Sequence, residues 1–250
     1  MPSNKEAAFN TRWCCPGLVW LLGLITTAII CAPAPPALPE SPRARAVIER
    51  HTPLSENELA GKDLTLGAPL FIRIFKASSE LEVWVKNGER FARFKTYPIC
   101  YFSGEPGPKL RQGDGQSPEG FYDISPNRLN PWSRFHLSMN IGFPNAYDRH
   151  HRRTGDYLMI HGDCVSIGCY AMTNPAIEEI YTLVYKSLEN GQPSVPVHIF
   201  PFRMTAENLD AQKENTWYGF WKNLGEGYHL FEEKGVPPDV RVEEGRYAFD

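Results

Sequence analysis

From residue 69 onward, apolar and polar positions alternate along the chain in short runs. Over Pro69–Ala77, Leu70, Ile72 and Ile74 fall on one face and Phe71, Arg73 and Phe75 on the other, which is the two-residue period of a β-strand. Glu80–Lys86 repeats the pattern through Leu81, Val83 and Val85, and Arg90–Tyr97 follows. Asn87-Gly88 between them predicts a two-residue hairpin turn. Further strands are predicted at 120–124, 137–143, 157–161 and Val195–Phe200. One central segment switches to helical spacing, with Ile177, Ile180, Tyr181, Val184 and Leu188 on a common stripe. Asn174 suits its N-cap, Pro175 its first position and Gly191 its end.

The flanks are less regular. Arg43–Ala60 reads as a short polar helix, a lead-in element rather than part of the core. Residues 103–120, rich in Gly and Pro, predict a long surface loop. In the tail, Thr205–Asn223 predicts a helix carrying Trp217, Phe220 and Trp221. Tyr228–Lys234 predicts a short helix, and Val240–Phe249 two strands around Glu244-Gly245. Together these elements predict a mainly β, α+β domain with a few helices.

The first 34 residues stand apart. Lys5 and Arg12 precede an apolar run from Trp13 to Cys31, and Ala-Pro-Ala-Pro-Pro-Ala follows at 32–37. That is the order of a secretory signal. Pro35 hinders cleavage after Ala34, and residues 13–31 come close to the roughly 20 that span a bilayer. Two fates are therefore open, a cleaved signal peptide and a retained inner-membrane anchor. Either one places the remaining chain outside the cytoplasm. The predicted organisation is a signal or anchor at 1–34, a Pro-rich linker and short helix at 35–68, a catalytic domain at 69–204 and a C-terminal extension at 205–250. The formal charge of −3 includes no basic block, so the footprint of a nucleic-acid partner is missing.

Export changes the meaning of the cysteines. Beyond Cys14, Cys15 and Cys31 in the signal, the body holds three: Cys100, Cys164 and Cys169. An odd number in an oxidising compartment leaves one thiol free while the other two can pair. The sequence alone does not say which. The richest stretch runs from Tyr157 to Met172. An apolar strand delivers His161 to a Gly-containing turn, and Cys169 arrives eight residues later, just before a helix. Such a loop can fold back so that imidazole and thiol meet. A free cysteine is only a few per cent thiolate near neutral pH and needs a neighbouring base, which histidine supplies. Gly168 lets the backbone bend so that amides near Cys169 can face an oxyanion. The alternatives are a buried structural Cys and His, a Cys164–Cys169 disulfide, and a zinc site from His161, Asp163, Cys164 and Cys169. Zinc lacks the second ligand pair that structural sites use.

Ile-His-Gly at 160–162 followed by Ser-Ile-Gly-Cys at 166–169 resembles the catalytic motif of the L,D-transpeptidase (YkuD) family. A second block agrees, Gly107 to Tyr122 with Ser117-Pro118-Glu119-Gly120, similar to that family's Gly-rich loop. Ile141–Asp148, Leu158–Asn174 and Gly191–Met204 are similar to the YafK/DpaA subgroup of Gram-negative bacteria. The resemblance implies a mixed β-sandwich or barrel with a central capping helix and a helical C-terminal extension. It implies Cys169 as nucleophile, His161 as base, the Gly162 carbonyl or the Asp163 side chain as the group orienting it, and Gly168 among the oxyanion amides. Ser166 and Tyr170 flank the thiol, and Lys109, Arg111 and Arg149 are candidates for substrate carboxylates. No cofactor or metal is expected. The implied partners are peptidoglycan stem peptides and an outer-membrane lipoprotein attached to them. The implied reaction is amidase cleavage between diaminopimelate and the lipoprotein's terminal lysine, with transpeptidation as the alternative and an inactive wall-binding module as the third. The chain departs from the family pattern at Ile167, where the family has His, in its shorter His-to-Cys step, and at Tyr170-Ala171, where an Arg is usual.

Overall fold

The computed structural model describes residues 37–250, so the predicted export segment lies outside the described residues. Two five-stranded sheets and a helix between them form the body. The first sheet contains β1 (Leu70–Phe75), β2 (Glu80–Asn87), β3 (Arg90–Pro98), β5 (Gly120–Ile124) and β10 (Val195–Phe200), in the order β3-β2-β1-β10-β5. Only β1 and β10 run parallel; the other neighbours are antiparallel. The second sheet joins β4 (Tyr101–Phe102), β9 (Tyr170–Ala171), β8 (Met159–His161), β7 (Ser138–Asn140) and β6 (Leu129–Asn130) in that order. The hairpin turn of β2 and β3 is Gly88-Glu89 rather than Asn87-Gly88. Asn87 still pairs with Arg90, and Gly88 takes the left-handed conformation at φ 59°.

Helix α3 (Asn174–Glu189) packs against both sheets. Its stripe Ile177, Ile180, Tyr181, Val184 and Leu188 is fully buried with Ile72, Ile74, Val197 and Ile199 of the first sheet and Met139 and Ile160 of the second. Each such aliphatic side chain contributes about 1.5–3 kcal/mol by leaving water. The N-cap is Thr173, not Asn174. Asn174 instead uses its side-chain oxygen to accept the Asp163 N–H at 2.9 Å, tying the helix start to the loop after His161.

Helix α1 (Pro42–Ala60) is more than a lead-in. Ala44, Val47, Ile48 and Leu59 belong to the same core, and the helix lies against α3. Its polar appearance hides a narrow apolar stripe, which is all that a single docking face requires.

A second core covers the opposite face of the first sheet, where Phe75, Phe121 and Phe200 meet Trp221, Leu224, Tyr228 and Tyr247 of the tail. The tail does not break where its sequence suggests. A short α4 (Ala206–Asp210) is followed by α5 (Tyr218–Lys234), which runs without interruption through Gly225 and Gly227. Those glycines serve contact: a Cβ on Gly227 would stand 2.5 Å from Phe249 and 2.7 Å from Phe121. Strands β11 (Val240–Glu243) and β12 (Arg246–Phe249) close the tail as a hairpin, and α2 (Ala146–His150) completes the elements.

Residues 103–119 contain no regular element, yet they are not a loose surface loop. Lys76 Nζ at the end of β1 is fully buried and donates to the carbonyls of Glu105, Gly107 and Ser117 and to the Glu119 carboxylate at 3.1 Å. Glu119 also accepts from the Gly107 N–H and from Trp221 Nε1 at 2.9 Å. One buried ion pair thus fastens the Gly-rich segment to both the sheet and the tail.

Candidate active site

Strands β8 and β9 are parallel neighbours, with Ile160 opposite Tyr170 and His161 opposite Ala171. Parallel strands are normally joined by a dozen or more residues. Here residues 162–169 make the crossing, and Asp163 (φ 69°), Cys164 (φ 48°) and Gly168 (φ 154°) adopt positive φ to achieve it. Met159 and His161 point to one face of β8, and the tight crossing returns Cys169 beside Met159 on that face. The Met159 N–H donates to the Cys169 sulfur at 3.4 Å. Cys169 is followed by β9, so the thiol does not open the helix as the sequence suggests; α3 begins five residues later.

Three anchors hold the crossing. Cys164 is bonded to Cys100, with Cα atoms 5.2 Å apart, and Cys169 is the free cysteine among the described residues. The pairing removes Cys164 from the set that zinc would need. Ser166 Oγ donates to the Cys169 carbonyl at 2.7 Å and accepts the Gly168 N–H at 3.0 Å. Ser117 Oγ reaches the same carbonyl at 3.3 Å, which brings the Gly-rich segment to the thiol. The Gly168 amide is therefore already committed, whereas the Cys169 N–H, like those of Val165, Ser166 and Ile167, has no partner among the described residues.

His161 is 2% exposed. Its Nδ1 lies 2.6 Å from the Gly162 carbonyl oxygen, which can only accept, so Nδ1 carries the proton and Nε2 is the free base. Gly162 has no room for a side chain: a Cβ would stand 2.4 Å from the Asn174 oxygen. The Phe135 ring covers the imidazole at 4.8 Å, an apolar lid the sequence did not flag. Burial pushes the His161 pKa below its ordinary value, opposed by the Gly162 carbonyl and the charge of Asp163. Burial pushes the Cys169 thiol up, opposed by the Met159 N–H and by Lys109. At rest the pair is thiol and neutral imidazole. No hydrogen bond joins them directly, because the thiol reaches the Tyr157 carbonyl at 3.6 Å.

Two openings meet at the sulfur. The first, of 270 Å³, is lined by Cys169 and His161 with Trp132, Arg134, Phe135 and Tyr157. The second, of 200 Å³, is lined by Cys169 and Gly168 with Lys109, Gln112, Asp156 and Ile167. Tyr157, 69% exposed, stands on the ridge between them. Of the residues named from sequence, Lys109 is in the second opening but is already paired with Asp114 at 2.5 Å. Arg111 and Arg149 line neither opening, and Arg149 donates to the Pro144 carbonyl instead. Tyr170 is fully buried and donates to the Pro118 carbonyl at 2.7 Å, so its part is to position the strand.

Residues 69–199 match the family model of the L,D-transpeptidase catalytic domain, YkuD. Over 197 residues the chain is 52% identical to the L,D-transpeptidase-type protein YafK of Escherichia coli strain K12, covering 79% of each chain, and the O157:H7 protein gives the same values. Among solved structures it is similar to the helical cell shape determining protein Pgp2 of Campylobacter jejuni, at 17% identity and TM-score 0.45, over 76% of this chain and 80% of that one. Bd1075 of Bdellovibrio bacteriovorus is similar at 19% identity and TM-score 0.39, over 71% and 78%.

Proposed function

The chain belongs to the L,D-transpeptidase catalytic-domain (YkuD) family, and we propose that it is a cysteine-dependent peptidoglycan amidase of the periplasm. Its substrate is the amide between diaminopimelate and the terminal lysine of a wall-attached lipoprotein, as the resemblance to the YafK/DpaA subgroup implies. The observation that carries this is a free thiol and a buried imidazole of fixed tautomer lining the same cavity.

In the proposed reaction, substrate displaces the Cys169 S–H from the Tyr157 carbonyl and the thiol proton passes to His161 Nε2. Such contacts are often loose in the free enzyme and tighten in the complex. The sulfur attacks the diaminopimelate carbonyl, and the Cys169 N–H stabilises the oxyanion. The C–N bond then breaks as imidazolium returns the proton to the leaving amine, giving a thioester. Water attacks next, His161 takes its proton, and the C–S bond breaks to release the carboxylic acid and the thiol.

Hydrolysis is supported by access to the thiol from the His161 side. Once the amine has left, the first opening leads to both the sulfur and the imidazole, and Trp132 on its wall is 66% exposed. Water therefore has a path to the thioester and to its base. The same access supports transpeptidation as the second reading, since an amine could enter where water does. Sacculi carrying bound lipoprotein separate the two. Free lipoprotein and tripeptide-ended muropeptides are expected; new cross-links would indicate a transpeptidase, and no covalent change a binding module. The first 34 residues are proposed to export the enzyme, as a cleaved signal or a retained anchor.

A further inference from the structure

The two openings at Cys169 are not equivalent. His161 lines only the opening that also holds Trp132, Arg134 and Phe135. The leaving amine must be protonated by His161, so the leaving fragment occupies that opening and the acyl fragment the other. Arg134 is the one charged side chain in the leaving-group opening, whose imidazole is neutral at rest, and no Asp or Glu lines it. The other opening differs, for there Lys109 is neutralised by Asp114 and Asp156 adds a negative charge.

The backbone at Arg134 is held in place, while its exposed side chain is uncommitted. Among the described residues its guanidinium enters no ion pair, hydrogen bond or cation–π contact, which leaves its donors available for a planar anion. The backbone around it is fixed from three directions. Arg43 of α1 donates to the Ser133 carbonyl at 3.0 Å and the His136 carbonyl at 2.7 Å. His136 Nε2 is 2.7 Å from Glu178 on α3, and Ser133 Oγ accepts the Phe135 N–H at 3.0 Å. An unpaired cation on a fixed stretch of backbone, beside apolar Trp132, Phe135, Tyr157 and Met159, suits a fragment with a methylene chain ending in a carboxylate.

We propose that Arg134 is a specificity residue that pairs with a free carboxylate on the leaving amine. It would thereby select a lysine that ends its chain over a lysine within one. A lysine acylated on its side-chain amine presents its α-carboxylate at the far end of the methylenes only when it is C-terminal. The inference rests on the amidase reading and specifies its leaving group.

The test uses two muramyl-tripeptide substrates in which the diaminopimelate carbonyl is joined to the side-chain amine of lysine, one with a free α-carboxylate and one with a carboxamide. The wild-type enzyme is expected to prefer the carboxylate by about tenfold in kcat/KM, the value of one part-exposed charge-assisted pair. Arg134→Gln is expected to bring the ratio of the two substrates to near one, and Arg134→Lys to restore part of it. Added salt should erode the wild-type preference but not the ratio in Arg134→Gln. Wild-type enzyme that cleaves both equally, or an Arg134→Gln variant that keeps the preference, would overturn the inference while leaving the amidase standing. Wild-type enzyme that releases lysine from neither peptide, yet transfers the tripeptide acyl group from a muramyl tetrapeptide to an added amine with loss of the fourth residue, would remove the amidase and the inference together.

Discussion

The carbonyl oxygen of Gly162 lies 2.6 Å from Nδ1 of His161, one residue away in sequence, and this contact decides how the imidazole can act. It holds the proton on Nδ1 and presents Nε2 as a base, the task for which other cysteine enzymes recruit a side-chain orienter. The contact requires a glycine at 162, because the Asn174 side chain fills the space where a Cβ would be. Gly162→Ala should therefore reduce kcat/KM by about tenfold or more through misplacement of the base. Thermal unfolding of the same variant checks that the fold survives.

The directions of the two pKa shifts give a pH signature. Burial lowers His161, so the base remains unprotonated further into acid than an ordinary histidine, and kcat/KM should hold until below about pH 6.5. Burial raises Cys169, so its alkylation by iodoacetamide should still be climbing above about pH 8.5. A plateau of alkylation at neutral pH would reveal a preformed thiolate–imidazolium pair instead.

Ser166 bridges the Gly168 N–H and the Cys169 carbonyl across the crossing. Ser166→Ala removes both bonds, leaving the Gly168 N–H without a partner and the Cys169 carbonyl with Ser117 alone, at a cost of about 1–3 kcal/mol. The expected result is a kcat/KM reduced by about tenfold, a larger relative change than the shift in unfolding midpoint.

Cys100 and Cys164 staple the crossing to the strand beside it. The double variant Cys100→Ser/Cys164→Ser should lose about 2–5 kcal/mol of stability. Urea unfolding of the protein lacking residues 1–34 measures it. Thiol titration of that oxidised protein should count one free thiol, at Cys169.

Lys76 and Glu119 form a buried pair that also binds the Gly-rich segment. Lys76→Met leaves the Glu119 carboxylate buried without its cation and should destabilise the protein by about 3–5 kcal/mol. Adding Glu119→Gln should cost less than the sum of the two single changes, which a double-mutant cycle reads out.

Much of this was legible in the chain. The alternation around Leu70, Ile72 and Ile74 placed β1, and the stripe from Ile177 to Leu188 placed α3, because each signal is a local spacing of apolar residues and needs nothing more distant. The Ser-Ile-Gly-Cys run singled out Cys169 and the Ile-His-Gly run His161 for a similar reason: the proposed nucleophile and base are short-range features of one crossing. What could not be read depends on contacts between segments far apart. Arg134 and Phe135 sit in an irregular stretch, held against the site by Arg43 of α1, Glu178 of α3 and the Gly162 N–H, all distant in sequence. The tail reads as two helices split between Asn223 and Tyr228, whereas the reason Gly227 must be small is Phe121 and Phe249, elsewhere in the chain. The charges at Lys109, Arg111 and Arg149 looked alike as residue types, whereas Asp114 and the Pro144 carbonyl already occupy the first and the last.

The central claim is that Cys169 carries the acyl group, with His161 as its base. Intact-protein mass spectrometry after acid quench, with a lysine-linked muramyl tripeptide as substrate, tests it most directly. A transient mass increase equal to the acyl tripeptide, mapped to Cys169 and decaying as the free acid accumulates, is the predicted result, with no adduct in Cys169→Ala and slow formation in His161→Gln. Lysine release that proceeds without that adduct, or at an undiminished rate in Cys169→Ala, would contradict it.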